Sequence, residues 1–369
     1  MRSLREKLQA TARQPAVKKQ AATDCAVKEI RVPVEEFLLP EHIAGDNLYL
    51  MLGGQWQDVK KENILFLDTE TTGLSHGAGT VAFLVGVGYF EENDFVVRQY
   101  LMRDYDEEIF LLQRVMAHLA EKDTLCTFNG ASFDMPLLDA RFTMQRMRNS
   151  HHLQHIDLLH VARRVWKLRL KSCRLSRLEE MVLGITREDD LPGALVPERY
   201  FQYLKTKDET LLSDILEHNA QDIISLAHLL HQLVVMHESP CCAVQKEDVF
   251  SLGRVYEMRG RMEGARMCYR AADKGSMSAL ARARIAETYR REGSTEQAAK
   301  VYESMIRSGQ GGIAPLVAMA KICEHKRRDI PSALEFTRKA IILCAEKENG
   351  DMPALQKRFE RLMKKARKE

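Results

Sequence analysis

Ile64-Leu65-Phe66-Leu67-Asp68-Thr69-Glu70-Thr71-Thr72-Gly73-Leu74 is the stretch on which the reading of this chain turns. Four apolar residues run into two carboxylates and then a Thr-Thr-Gly turn, the pattern of a buried central strand. Side chains two apart on a strand share a face, so Asp68 and Glu70 project together from its end. Like charges held that close repel unless a cation lies between them, and an all-oxygen site suits Mg²⁺ or Mn²⁺. The same spacing also fits an Asp capping a turn beside a solvated Glu, and the two carboxylates alone leave both readings open.

The totals describe an ordinary globular protein. The chain has 369 residues, 45% of them hydrophobic and 29% charged, which suits two or three domains. No run reaches the roughly 18 apolar residues of a membrane span. Residues 1–19 are polar and basic without an apolar core, unlike a secretory signal. The eight cysteines are scattered and lack C-x-x-C spacing, which predicts reduced thiols of a cytoplasmic protein and neither a disulfide nor a zinc framework. Net charge is +3 but unevenly spread. From Arg141 to Arg177 there are ten Lys or Arg, four histidines (151, 152, 155, 160) and a single acid, Asp157. So one-sided a stretch is read as facing a polyanion, with a solvated helix face as the bland alternative.

Periodicity orders the rest. Residues 1–50 form an arm with an extended segment over Ile30–Leu39. The Ile64 strand opens a domain over 51–238. Thr80–Phe90 and Phe95–Met102 predict a hairpin. Glu107–Leu119 carries a helical apolar stripe, Thr124–Phe128 is a short strand, and Phe133–Met147 a helix. A short strand at His152–Asp157, a helix at Leu158–Leu168 and a long helix at Leu211–His237 follow. A meander that passes into alternating strands and helices predicts an α/β fold, a mixed sheet flanked by helices. From Val249 the text repeats at a period of 33. Tyr256, Gly260, Ala265 and Tyr269 recur as Tyr289, Gly293, Ala298 and Tyr302. That predicts an all-α helical-repeat domain over 245–369, of tetratricopeptide-like helix pairs.

Three further pieces join the Asp68 and Glu70 strand. Phe128-Asn129-Gly130-Ala131-Ser132-Phe133-Asp134 leaves a strand and enters a helix with Asp134 in its first turn. His218-Asn219-Ala220-Gln221-Asp222 lies on the long helix, where residues four apart share a face. Asp157 follows a strand and reads first as a helix cap, second as a site acid.

DTETTGL, FNGASFD and HNAQD together resemble the three exonuclease motifs of the DEDD superfamily, on the RNase H-like fold, over about residues 60–237. Ile156-Asp157-Leu158-Leu159, Leu191-Pro192-Gly193 and Val196-Pro197-Glu198-Arg199-Tyr200 are similar to the bacterial YprB-like branch. The resemblance implies metal-ligand roles for Asp68, Glu70, Asp134 and Asp222, two Mg²⁺ or Mn²⁺ ions, and hydrolysis of phosphodiesters from a 3′ end. It implies a catalytic role for His218 as well. One subclass of the superfamily has His five positions before the last Asp, another has Tyr four before it. His218 is the residue of the first at the spacing of the second, so base and water-positioner both stay open. Thr71, Asn129, Arg163, Arg164 and Lys171 are the expected substrate contacts. The expected partner is DNA or RNA, with a protein partner for the repeats and no membrane. The alternatives are a nucleic-acid or protein scaffold retaining the motifs and a structure-specific endonuclease.

Overall fold

The structure is a computed structural model and describes residues 23–73, 79–148, 153–187, 191–347 and 350–367. Residues 1–22 of the expected arm, Leu74 of the first motif, and His151 and His152 of the basic stretch lie outside the described residues.

Eight strands are present among these residues: β1 (Ala26–Pro33), β2 (His42–Ile43), β3 (Val59–Lys60), β4 (Ile64–Thr71), β5 (Ala82–Glu91), β6 (Asp94–Leu101), β7 (Thr124–Thr127) and β8 (Gln154–Asp157). Six of them form one mixed sheet in the order β1-β6-β5-β4-β7-β8. The β5–β6 hairpin pairs Glu91 with Asp94, so its turn is two residues, Glu92 and Asn93, shorter than the four polar residues suggest. Glu92 takes a left-handed φ of 52°, which two-residue hairpins demand. β4 pairs antiparallel to β5 and parallel to β7, and β7 parallel to β8. Parallel neighbours need crossovers, supplied by α2 and α3 below. The segment expected to be extended over Ile30–Leu39 is strand only as far as Pro33 and then turns through a 3₁₀ helix at Val34–Glu36. The strand itself, β1, begins earlier at Ala26, pairs with β6 and forms one edge of the sheet.

The helices are α1 (Gly45–Leu52), α2 (Glu108–Glu121), α3 (Asp134–Met144), α4 (Leu158–Leu170), α5 (Val196–Thr206) and the 29-residue α6 (Thr210–Glu238). Seven more follow: α7 (Lys246–Met258), α8 (Met262–Ala272), α9 (Ser278–Arg291), α10 (Thr295–Arg307), α11 (Ile313–Ile322), α12 (Ile330–Lys347) and α13 (Met352–Ala366). The fold is therefore a mixed α/β sheet flanked by helices, followed by an all-helical region, as the periodicity predicts. No helix among the described residues is long and apolar enough to cross a membrane.

The pleat of β4 divides the core. Leu65 and Leu67 face α2, α3, α5 and the start of α6, where Tyr200 stacks on Phe83 with ring centroids 3.8 Å apart. Phe66 faces the other way, into a cluster with Phe90, Phe95, Trp166 of α4 and the later turns of α6. That second cluster runs on without a break into Val249, Phe250 and Leu252 of α7 and Cys268 and Tyr269 of α8. The sheet and the first helical pair thus share one apolar core.

In the helical region each helix packs on the next. The 33-residue correspondence holds in conformation. Gly260 and Gly293 both take left-handed φ values, 75° and 78°, at the turns between paired helices. Ala265 and Ala298 are fully buried at matching positions.

The last helix is locked by a charge. Glu324 is buried, and Arg361, Lys365 and Arg358 of α13 converge on its carboxylate, the last two at 2.7 and 3.3 Å. These cations hold its pKa down, to about 2. A carboxylate depressed in the fold contributes stability above its unfolded pKa, about 4.3, and loses it as pH falls towards the folded value. Glu324→Gln should lower stability by about 1–3 kcal/mol at pH 7. In thermal unfolding at pH 7 and pH 3, the gap between wild type and variant should narrow at the lower pH.

Candidate active site

The site is assembled at the end of β4. After Leu67 burial alternates, so that Thr69 and Thr71 are buried while Asp68 and Glu70 reach partly to solvent. Thr69 projects to the opposite face from the two acids. Its hydroxyl donates to Oδ1 of Asp134 at 2.5 Å, tying the third acid to the central strand. Asp134 is buried at the N-terminus of α3, where the helix dipole favours a carboxylate.

The loop that delivers Asp134 is held by Asp157. The Asn129 and Ala131 amides donate to its two carboxylate oxygens at 2.9 and 3.2 Å, and the Leu159 amide caps α4 through it at 3.1 Å. Asp157 is a cap, as its position after a strand suggests, and also the anchor of the Asn129 loop. Asn129 takes a left-handed φ of 70° and contributes its backbone N–H to this anchor.

The fourth acid comes from α6, which crosses the sheet unusually close to β5. A Cβ on Gly86 would lie 2.2 Å from Oδ1 of Asn219, and one on Gly88 would lie 2.4 Å from Ile223. The absent side chains make room for Asn219, whose Nδ2 donates to Oδ2 of Asp68 at 2.9 Å. The Asn219 Oδ1 accepts from Gln99 of β6 at 2.9 Å. This buried relay fixes α6 against three strands. It places His218 with Nε2 at 4.0 Å from Glu70 and 3.8 Å from Asp222.

Arg187 closes the cluster. It ion-pairs with Asp222 and with Glu179 at 2.6 Å, and its Nη1 donates to Nδ1 of His218 at 3.1 Å. A donor on Nδ1 leaves the proton of a neutral ring on Nε2, the nitrogen nearest Glu70 and Asp222.

The acids feel one another. Burial pushes the Asp68 carboxyl well above its ordinary value, and the charges of Asp222, Asp134 and Glu70 push it further. Burial raises Asp134 to about 6, against the Thr69 hydrogen bond. Burial raises Asp222 too, opposed by Arg187 and His218. Among the described residues, no three Asp, Glu, His or Cys side chains stand in a ready-made ligand arrangement. Asp68, Asp134 and Asp222 each hold a protein donor instead. The donor chemistry nevertheless fits a hard divalent cation: oxygen ligands, burial, and unrelieved mutual repulsion.

The other expected substrate contacts lie apart from the acids or do other work. The Thr71 hydroxyl donates to the Gly73 carbonyl at 2.8 Å. Arg163, Arg164 and Lys171 line a groove between α4 and helices α7 and α9. Elsewhere in the basic stretch, Arg141 pairs with Glu108, Arg169 with Asp248 and Arg177 with Glu180. Thr69, Gln99 and Arg187 were not legible as site residues. The Gly86-Val87-Gly88 pattern in a buried strand was the available signal of a close approach.

This is a nuclease or nucleic-acid-processing fold of the RNase H type. The sequence profile of the RNase H superfamily matches residues 65–234. The uncharacterized protein YprB of Bacillus subtilis (strain 168) is 30% identical over 312 residues, which is 83% of this chain and 75% of that protein. The chain belongs to the family of YprB, and its residues 65–234 form a domain of the RNase H superfamily. Among solved structures, the family B DNA polymerase from the hyperthermophilic archaeon Pyrobaculum calidifontis matches with a TM-score of 0.39 and 15% identity, over 54% of this chain and 29% of that chain.

Gly86→Ala tests the close crossing. The added methyl meets Asn219 and forces α6 outward, at an expected cost of about 1–3 kcal/mol. Chemical denaturation should show this loss. Gly184→Ala, a left-handed glycine with open space around it, serves as a control for backbone strain alone.

Proposed function

We propose that the protein is a divalent-metal-dependent nuclease that hydrolyses phosphodiester bonds from a 3′ end. The observation that carries this reading is the convergence of four acids from three separate elements, in which burial raises the Asp68 carboxyl and the charges of Asp222, Asp134 and Glu70 raise it further. Buried like charges in such proximity are costly unless a cation completes them.

Asp68, Glu70, Asp134 and Asp222 would hold the metal, with Mg²⁺ or Mn²⁺ as the expected ions and two as the number implied by the resemblance. When bound, such ions lower the pKa of a coordinated water and neutralise charge on the attacking and leaving oxygens. The chain's own residues prepare this centre. Asn219 orients Asp68, Thr69 orients Asp134, and the Asp157-anchored loop fixes the position of α3. Arg187 neutralises Asp222 and must turn away for that carboxylate to face a cation. His218 places Nε2 beside Glu70 and Asp222, where it meets the attacking water. While Arg187 donates to Nδ1, Nε2–H can position that water. Once Arg187 leaves Nδ1, the ring can accept the water's proton at Nε2.

The deciding experiment is digestion of end-labelled single- and double-stranded DNA and RNA with Mg²⁺, Mn²⁺ or EDTA. Stepwise shortening from the 3′ end, abolished by EDTA and by Asp134→Asn with the fold intact, is the expected result. Internal cuts would move the reading to an endonuclease. No cleavage of any substrate would leave a scaffold.

His218→Ala should slow cleavage by about 10²–10⁴-fold if the imidazole takes the proton. Comparison with His218→Tyr separates the two roles. Full activity in the tyrosine variant would make His218 a water-positioning residue.

A further inference from the structure

The groove that holds Arg163 and Lys171 is separate from the acid cluster and is built jointly by the two halves of the molecule. Arg163, Lys167 and Lys171 come from α4, Arg254 from α7, and Arg284 and Arg291 from α9, around a space of about 810 Å³. Among the described residues Glu257 is its one acid, and it ion-pairs with Arg284 at 2.6 Å and Arg291 at 2.9 Å. Arg163, Lys167 and Arg254 are exposed and have no ion-pair partner among the described residues. Among the described residues no Phe, Tyr or Trp lines the groove, and its one ring is the imidazole of His160. A channel so rich in cations and so poor in aromatic rings is suited to phosphates more than to bases.

Its place follows from one helix. The Tyr256 hydroxyl, between groove residues Val255 and Glu257, donates to the His237 carbonyl at 2.6 Å. From Asp222 to His237 along α6 is about 22 Å at 1.5 Å per residue. The apolar core common to the sheet, α7 and α8 holds the two places at a fixed separation.

We propose that this groove is a second, sequence-independent binding site for the phosphate backbone of the nucleic acid whose end enters the acid cluster. The choice of nucleic acid rests on the function proposed above; the anion-binding character of the groove does not. A separation of about 22 Å corresponds to about six or seven base pairs of duplex at 3.4 Å each. Affinity should therefore rise in a step once a substrate is long enough to span both places.

The test uses the full-length protein with Ca²⁺ in place of Mg²⁺ or Mn²⁺, so that a cation can occupy the acid cluster while binding is read without cleavage. Fluorescent DNA and RNA, single-stranded and duplex, are titrated at lengths of 4 to 30 nucleotides at several salt concentrations. The wild type should show a step in affinity of about tenfold or more past seven to ten nucleotides. Lys167→Glu/Arg254→Glu should lose the step, keep the wild-type melting temperature, and show a salt slope smaller by about two. A wild type without a step overturns the proposal, as does a variant that keeps it. Displacement by polyglutamate as effectively, per charge, as by unlabelled oligonucleotide would assign the groove to an acidic protein and overturn it too. Loss of the step with no nuclease activity in Mg²⁺ or Mn²⁺ would uphold the groove while sinking the catalytic reading.

Discussion

The closeness of α6 to β5 is the constraint on which the site depends. Two glycines, Gly86 and Gly88, remove the side chains that would hold the helix at an ordinary distance. The space goes to Asn219 and Ile223. Asn219 then bridges Gln99 on β6 and Asp68 on β4, which turns a packing contact into a polar lock. Every group that α6 gives to the site takes its position from that lock. His218 is one residue before Asn219 and Asp222 is three after it.

The same region shows how the fold partners its buried acids. Buried carboxylates cost free energy unless each finds a donor. Thr69 supplies one to Asp134, Asn219 one to Asp68 and Arg187 a full charge to Asp222. These partners lower the penalty without abolishing it, since Asp68 and Asp134 still hold their protons more tightly than free aspartate does. The residual repulsion is what a divalent cation would relieve. On the proposed reading Arg187 and a cation would compete for Asp222, which would couple the segment bearing Arg187 to metal uptake.

Much of the fold was legible because it is written in short-range pattern. The apolar run before Asp68 reads as a buried strand, and it is one. The stripe of α6 predicts a helix over 211–237, within a residue of each observed end. Asp157 reads as a cap because a cap is a local hydrogen bond between neighbours. Relations between distant segments were harder to read. Nothing local says that Gly86 faces Asn219, or that Arg187 will reach Asp222 across 35 residues. The basic stretch was legible as charge but not as geometry. Four of its arginines go to Glu108, Asp248, Glu180 and the Met51 carbonyl, and all but the Glu180 pair are set by the tertiary fold.

The unbroken core between the sheet and the first helical pair also divides the chain into parts with different histories open to them. Beyond Ile285 the buried apolar residues belong to other clusters, one around Ala298, Met305 and Leu362 and another around Leu316 and Leu355, with Tyr289 and Val301 bridging back to the first core. Distal pairs can be lengthened, lost or exchanged with only their immediate neighbours to accommodate. The first pair has no such freedom, because its apolar face is also a wall of the sheet's interior. Over descent it is expected to travel with the RNase H-like domain as one inherited unit, while the far helices diversify.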